Sequence, residues 1–256
     1  MPPFDPWPLR HLVLRTPRLE LRPDDDAGLF ELAEEAGLGI HSPELMPFVE
    51  PWTDGTPEEV AANTLRWHWR QRAELGPQRW RLSFLVRTDD RVVGTQGVEA
   101  GAFSVTREVE TGSWLGRRHQ GRGIGTEMRA AVLMFAFDHL GATRARSGAF
   151  ADNAASLRVS EKLGYRQDGT ASYARRGERT EEVRLLLERD AFCRPDWRLE
   201  VEGVDACLPL LGVTAETRRG TRQERLGWRD ARVSYPRHPR STPRAKVSHC
   251  DGSPVV

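Results

Sequence analysis

Ser113-Trp114-Leu115-Gly116-Arg117-Arg118-His119-Gln120-Gly121-Arg122-Gly123-Ile124-Gly125-Thr126-Glu127 reads as the end of a strand, a glycine-rich turn and the start of a helix. Glycines at 121, 123 and 125 can take backbone angles closed to other residues and let a ligand approach the amides without a Cβ in the way. Beyond them, Ile124, Met128, Ala131, Val132, Phe135 and Leu140 fall at helical spacing, and Gly141 supplies a stop. The open amides and partial positive charge of a helix N-terminus suit a pyrophosphate. Spacing then excludes two kinds of turn. The sixth position of G-x-G-x-x-G is Thr126 counted from Gly121 and Met128 counted from Gly123, and no lysine stands where a P-loop needs one. What remains is Gln120-x-x-Gly123-x-Gly125, which on its own is equally consistent with a plain structural turn.

Working outward, Leu19 and Leu21 alternate with charged residues as in a strand, and the aspartates at 24–26 offer caps for a helix carrying Leu29, Phe30, Leu32 and Ala33. Thr56 with Glu59 has the form of a capping box for a helix running towards Glu74. Between them, 37–57 reads as a long loop with large apolar residues. From Arg81 the pattern is one of strands, with Leu82, Phe84 and Val86 alternating and further strands near 91–98, 107–115, 144–150, 165–175 and 180–188. Asp152 or Asn153 caps a helix that ends at Leu163, with Gly164 beyond it. Strands and helices alternating from 107 to 188 imply a mixed α/β sheet with helices packed on it. The expected organisation is a proline-rich arm at 1–15, a domain at 16–190, a packed extension at 191–213 and a disordered basic tail at 214–256. That tail has about ten basic residues against about four acidic ones and little apolar content.

The chain of 256 residues, 38% hydrophobic and 29% charged, has a net charge of only +1. It therefore has no overall electrostatic preference for nucleic acid or anionic lipid, and no partner of either kind is expected. No apolar run approaches the ~20 residues of a membrane span, and the start of the chain lacks a secretory signal, so a cytoplasmic protein is expected. The three cysteines and seven histidines show no metal-ligand spacing, so no metal is expected.

A second segment, Asn153-Ala154-Ala155-Ser156-Leu157-Arg158-Val159-Ser160-Glu161-Lys162-Leu163-Gly164-Tyr165, follows the glycine turn by some thirty residues. The ordered pair resembles the GNAT acyltransferases, namely their Gln/Arg-x-x-Gly-x-Gly/Ala turn and the N-x-x-S-x-R helix of the ribosomal-protein N-terminal acetyltransferase branch. The resemblance spans roughly 16–190. Met46-Pro47-Phe48, Pro51-Trp52-Thr53 and Gly112-Ser113-Trp114-Leu115-Gly116 further resemble an actinobacterial subgroup with a succinyl-CoA-dependent member.

The resemblance implies a mostly antiparallel α/β (α+β) sheet, splayed at the coenzyme A site, with helices on both faces. It implies transfer of an acetyl or succinyl group from coenzyme A to a primary amine, whether a protein N-terminus, a lysine or a small amine, by direct attack in a ternary complex. The contrasting reading is a non-catalytic coenzyme A sensor or scaffold. By position, Leu115 and Arg117 would pair with the pantetheine through their main chains, and Gln120, Gly121, Arg122, Gly123, Ile124, Gly125 and Thr126 would wrap the pyrophosphate. Arg117, Arg118 and Arg122 could meet phosphates or be ordinary surface residues. Asn153 would bond the pantetheine amide or simply cap its helix, with Ser156 beside it. Amide formation needs a base for the amine proton, and Glu110 occupies the position where relatives often place an acid. Ser160 would hydrogen-bond the leaving thiolate, or else bond the carbonyl four residues back. Trp52, Trp67, Trp69 and Trp80 are candidates to line the acceptor side, and His41, Ser42 and the backbone at 46–48 to hold a succinyl carboxylate. Homo-oligomers are common among relatives.

Overall fold

Local signals start the helices. The Asp25 carboxylate accepts from the Gly28 N–H at 2.8 Å, and Thr56 and Glu59 form the reciprocal box. Asn153 accepts from Ser156 N–H at 3.2 Å. The computed structural model describes residues 5–214, and the expected disordered tail, Thr214 apart, lies outside the described residues. In chain order the elements are β1 (Val13–Arg15), β2 (Glu20–Pro23), α1 (Asp26–Gly37), α2 (Pro57–Ala73), β3 (Arg79–Thr88), β4 (Arg91–Gly101) and the single turn α3 (Phe103–Thr106). There follow β5 (Glu108–Leu115), α4 (Ile124–Met134), β6 (Arg144–Phe150), α5 (Ala154–Lys162), β7 (Arg166–Arg175), β8 (Glu178–Glu188), β9 (Glu200–Glu202) and α6 (Val204–Cys207).

The strands form one sheet in the order β7-β8-β6-β5-β4-β3-β2-β1-β9. Every pairing is antiparallel except β5 with β6. Period-2 alternation sends β3 side chains to two cores. Phe84 and Val86 join α4 in the larger core, while Leu85 meets Leu29 and Leu32 of α1. Helices therefore cover both faces, α1 and α2 on one and α4 and α5 on the other, as the mixed, mostly antiparallel reading required.

The proline-rich stretch differs from a loose arm. Leu9, Leu12 and Leu14 are buried in the main core, and β1 pairs with both β2 and β9. Three strand residues flanked by prolines carry too short a pattern to stand out from the sequence. Beyond 190, Leu208 and Leu211 are buried in the same core, and the Leu211 carbonyl accepts from Trp80 Nε1 at 2.9 Å. Trp80 is thus a core residue, not a lining of the acceptor side. Helix α4 continues into a wider π turn, Phe135–Leu140, before Gly141 ends it in the left-handed region.

Candidate active site

The parallel pairing of β5 with β6 covers only Glu108–Glu110 against Arg144–Arg146, although both strands run on, to Leu115 and Phe150. Past that point the sheet opens. Strand β5 stays in register with β4, with Gly94 opposite Leu115, and the Gly116 N–H reaches the Val93 carbonyl at 2.9 Å. In an antiparallel ladder peptide groups alternate in direction, so Ser113 and Leu115 turn theirs away from β4 and into the gap. The Ser113 N–H and carbonyl and the Leu115 N–H thereby face the gap as main-chain groups for an extended ligand. Leu115 had been expected there; Ser113 had not.

The glycine turn closes the end of the gap. Gly121 and Gly123 have φ of 74° and 81°, so the turn needs glycine at both. Gly125 has only ordinary contacts around its missing side chain, which leaves the start of α4 bare. Several groups expected to hold a ligand instead hold the turn in place. Arg117, expected to pair with pantetheine through its main chain, donates its N–H to the Gly39 carbonyl at 3.0 Å. The Gln120 amide donates to the Ile40 and Leu115 carbonyls at 2.7 and 2.9 Å, so its side chain braces the loop. Arg118 pairs with Glu35, a carboxylate only 3% exposed, and His119 lies 3.3 Å from the same group. Arg117 and Arg122 keep exposed side chains beside the turn.

On the α4 side of the gap lies a feature that the sequence reading passed over. Arg129 is buried, and its guanidinium donates to Ser160 Oγ at 2.9 Å and to Ser113 Oγ at 3.3 Å. Its Nε is buried with no hydrogen-bond partner, and among the described residues no carboxylate pairs with it. Burial pushes its pKa down, and Tyr165 opposes this weakly. Ser160 is fully buried and donates to the Ser156 carbonyl at 3.0 Å. Its hydroxyl proton is therefore held by the helix, as its alternative reading had it, while its lone pair faces Arg129. Asn153 caps α5 with its carbonyl oxygen.

The other side of β5 carries carboxylates. Glu110 remains open to solvent, yet crowding around its carboxyl raises its pKa. Lost hydration is the larger cause and Glu99 the next, while Arg81 and Arg146 pull it back. Glu99 stands directly across from Glu110 in the register and pairs with Arg81. Glu182 on β8 folds over Gly148, where an added Cβ would sit 2.5 Å from its carboxylate. Its pKa is also raised, by lost hydration and by Glu110. Glu108 is occupied by Arg146 at 2.6 Å. Between Glu110 and Trp114 the space above Gly112 is open. Glu99 and Glu182 escaped the sequence reading because cross-strand register is not visible in a single strand's pattern.

A roof spans this side. Phe48, Trp52 and Trp114 stack in line, with ring centroids 5.1 and 6.0 Å apart. Arg175, at the tip of the β7–β8 hairpin, donates to the Met46 carbonyl at 2.9 Å and pairs with Asp152. Arg176 grips Asp54 and the Pro43 carbonyl. Trp67 is partly exposed beneath Arg81, whereas Trp69 bonds Asp26 on the outer surface. The expected carboxylate donors are already engaged. His41 bonds Thr53 Oγ1 at 2.7 Å and the Ser42 carbonyl at 2.9 Å, and Ser42 donates to Glu44. Among the described residues no group of His, Cys, Asp or Glu could hold a metal ion, and no helix is long and apolar enough to cross a membrane.

A family model described as an acetyltransferase (GNAT) domain matches residues 12–166. The Bacillus subtilis (strain 168) protein named Probable N-acetyltransferase YjcK is 30% identical over 94 residues, 37% of this chain and 52% of that protein. The chain thus spans about half the length of this curated relative. Among solved structures, Mycobacterium smegmatis RimJ in complex with CoA-disulfide superposes with a TM-score of 0.57 at 18% identity, covering 78% of this chain and 95% of that one. RimL, a ribosomal L7/L12 alpha-N-protein acetyltransferase in complex with coenzyme A, gives 0.53 at 17% identity, covering 69% and 97%. At such identities the likeness is one of fold.

Proposed function

This chain belongs to the acetyltransferase (GNAT) family, and from that premise we propose that it transfers an acyl group from coenzyme A to a primary amine by direct attack in a ternary complex. The observation that carries the reading is the break between β5 and β6. Just there the Ser113 peptide groups and the Leu115 N–H face the gap and can pair with a pantetheine arm, while Gln120 holds the Leu115 carbonyl, beside a bare helix N-terminus fit for its pyrophosphate. Backbone amides from Gly121 to Thr126 take the phosphates, and Arg117 and Arg122 add charge from the rim. Asn153, its oxygen engaged as a cap, keeps its amide N–H groups for the pantetheine, with Ser156 alongside.

Attack requires the neutral amine, and its proton must leave as the C–N bond forms. Glu110 is the base, directly or through water. Its raised pKa makes the carboxylate a better proton acceptor than an ordinary glutamate. The electron pair of the breaking C–S bond goes to the coenzyme A sulfur, with Ser160 as its nearest hydroxyl. Acetyl is the default donor group, in keeping with the acetyltransferase family. For a succinyl group, the engaged state of His41 and Ser42 leaves the backbone around Met46 as the available partner. A protein N-terminus, as the name of RimL specifies for that protein, is the acceptor class to try first.

Thermal unfolding with coenzyme A, acetyl-CoA and succinyl-CoA tests the donor. A ligand at ~100 times its Kd should stabilise the fold by about 2.7 kcal/mol. Equal stabilisation by all three, with thiol release on adding peptides that have free N-termini, is the expected result. No stabilisation by any of them would reduce the glycine turn to a structural element. Binding without turnover on any amine would leave a coenzyme A sensor.

A further inference from the structure

A buried guanidinium without a carboxylate is costly, because an unpaired charge loses its hydration and gains little in return. Arg129 is such a group. It is 4% exposed, its Nε has no partner, and its two hydrogen bonds go to neutral hydroxyls, Ser160 and Ser113. Ser113 lies on the strand and Ser160 on the helix that flank the gap. A positive charge held this way is placed for a negative charge that is absent in the resting protein and arises during reaction. We infer that Arg129 is a positioning residue for the leaving group: it fixes the Ser160 hydroxyl by its lone pair and holds a positive charge under the coenzyme A sulfur as the C–S bond breaks.

The inference rests on coenzyme A occupying the gap between β5 and β6. In the resting protein the Ser160 proton lies on the Ser156 carbonyl. While Oγ continues to accept from Arg129, rotation about the Cβ–Oγ bond can turn that proton to the sulfur. The step balances without further reagents. Nitrogen bonds to the acyl carbon, the C–S pair stays on sulfur, the amine proton goes to Glu110, and Ser160 and Arg129 keep their own protons. Arg129 is favoured over an acyl-chain carboxylate partner because both its acceptors lie at the strand and helix that would hold the pantetheine.

The titratable neighbours of the guanidinium are few. Tyr165, bonded to Thr111 Oγ1 at 3.1 Å, has its pKa raised by burial, and Glu110 lies beyond it. Glu127, on the same helix, is taken by Arg18 and Thr16. On α5, Arg158, Glu161 and Lys162 are exposed.

The test is the titration of the coenzyme A thiol while bound, read from thiolate absorbance in wild type, Arg129→Lys, Arg129→Met and Ser160→Ala. Methionine is apolar and of similar length, so it removes the buried charge without opening a large cavity, and unfolding melts confirm that each variant folds. The bound thiol should titrate below free coenzyme A in the wild type. It should rise by about one pH unit in Arg129→Met, with Arg129→Lys retaining part of the effect. Turnover should fall about tenfold to a hundredfold in Arg129→Met, with the KM for acyl-CoA little changed. An unaltered thiol titration in a folded Arg129→Met variant would overturn the inference, as would a selective loss of succinyl-CoA affinity over acetyl-CoA affinity. Failure of the wild type to bind coenzyme A would instead overturn the proposed function itself.

Discussion

Towards α4, strand β5 presents Val109, Thr111, Ser113 and Leu115, and what meets them beside the gap is a buried cation held by hydroxyls. Towards α2 it presents Glu108, Glu110, Gly112 and Trp114, and what meets them is a solvent-open set of carboxylates, Glu99 and Glu182 among them. One residue of register separates the two environments, so a slip by one would exchange them. That register is enforced locally, because a Cβ at Gly94 would overlap the Trp114 carbonyl. The difference between the faces teaches how an amide-forming site can divide its labour. On the proposed mechanism, the side that takes up a proton is anionic and wet, and the side that tolerates an anion is cationic and dry.

The comparison is most exposed to failure at Glu110. Glu110→Gln should lower kcat/KM about a hundredfold or more while coenzyme A affinity, measured by calorimetry, stays the same. A parallel loss of affinity would mean that the two faces are not separable. A smaller effect is expected across the strand. Ser113→Ala removes one of the two acceptors of Arg129 and should cost about 1–2 kcal/mol in chemical denaturation, with the acid limb of the pH profile unmoved. A shifted limb would show that the faces communicate.

The smallest effect sharpens the anionic side. On the proposed mechanism Glu110 works as the carboxylate, so activity should be present above its pKa and lost as pH falls through it, and its raised pKa puts that limb above the range of ordinary glutamates. Glu99→Gln removes a repulsive neighbour and frees Arg81 from its pair. Both changes favour the ionised form, so the limb of kcat/KM should move to lower pH. Movement upwards would remove Glu99 from the account.

Much of this was legible from residues alone, and the exceptions have physical reasons. The glycine turn, the Thr56–Glu59 box and the alternation in β3 are local, and local signals survive in a linear sequence. Arg129 did not stand out because the helical stripe was counted from its apolar members. Yet every residue from Glu127 to Phe137 is buried. A helix enclosed all round traps any polar residue within it, and an arginine between Met128 and Ala130 carried that signal. Glu99 and Glu182 depend on which strand lies beside which, and that information is spread over three separate stretches. The packing of the arm was not legible because β1 has three residues and pairs with β9 almost two hundred positions later.

The roof over the acceptor side is joined to the hairpin tip by Arg175, which donates to the Met46 carbonyl, and by Arg176, which pairs with Asp54 and donates to the Pro43 carbonyl. An ion pair as open as Arg176 with Asp54 contributes roughly 0–1 kcal/mol, a scale that thermal agitation overcomes many times during a single turnover. The cover is thus a latch rather than a wall. Dissolved salt weakens it, ordinary thermal motion reseats it, and the acceptor of the proposed reaction, even a bulky one, can enter and leave without disturbing the sheet beneath.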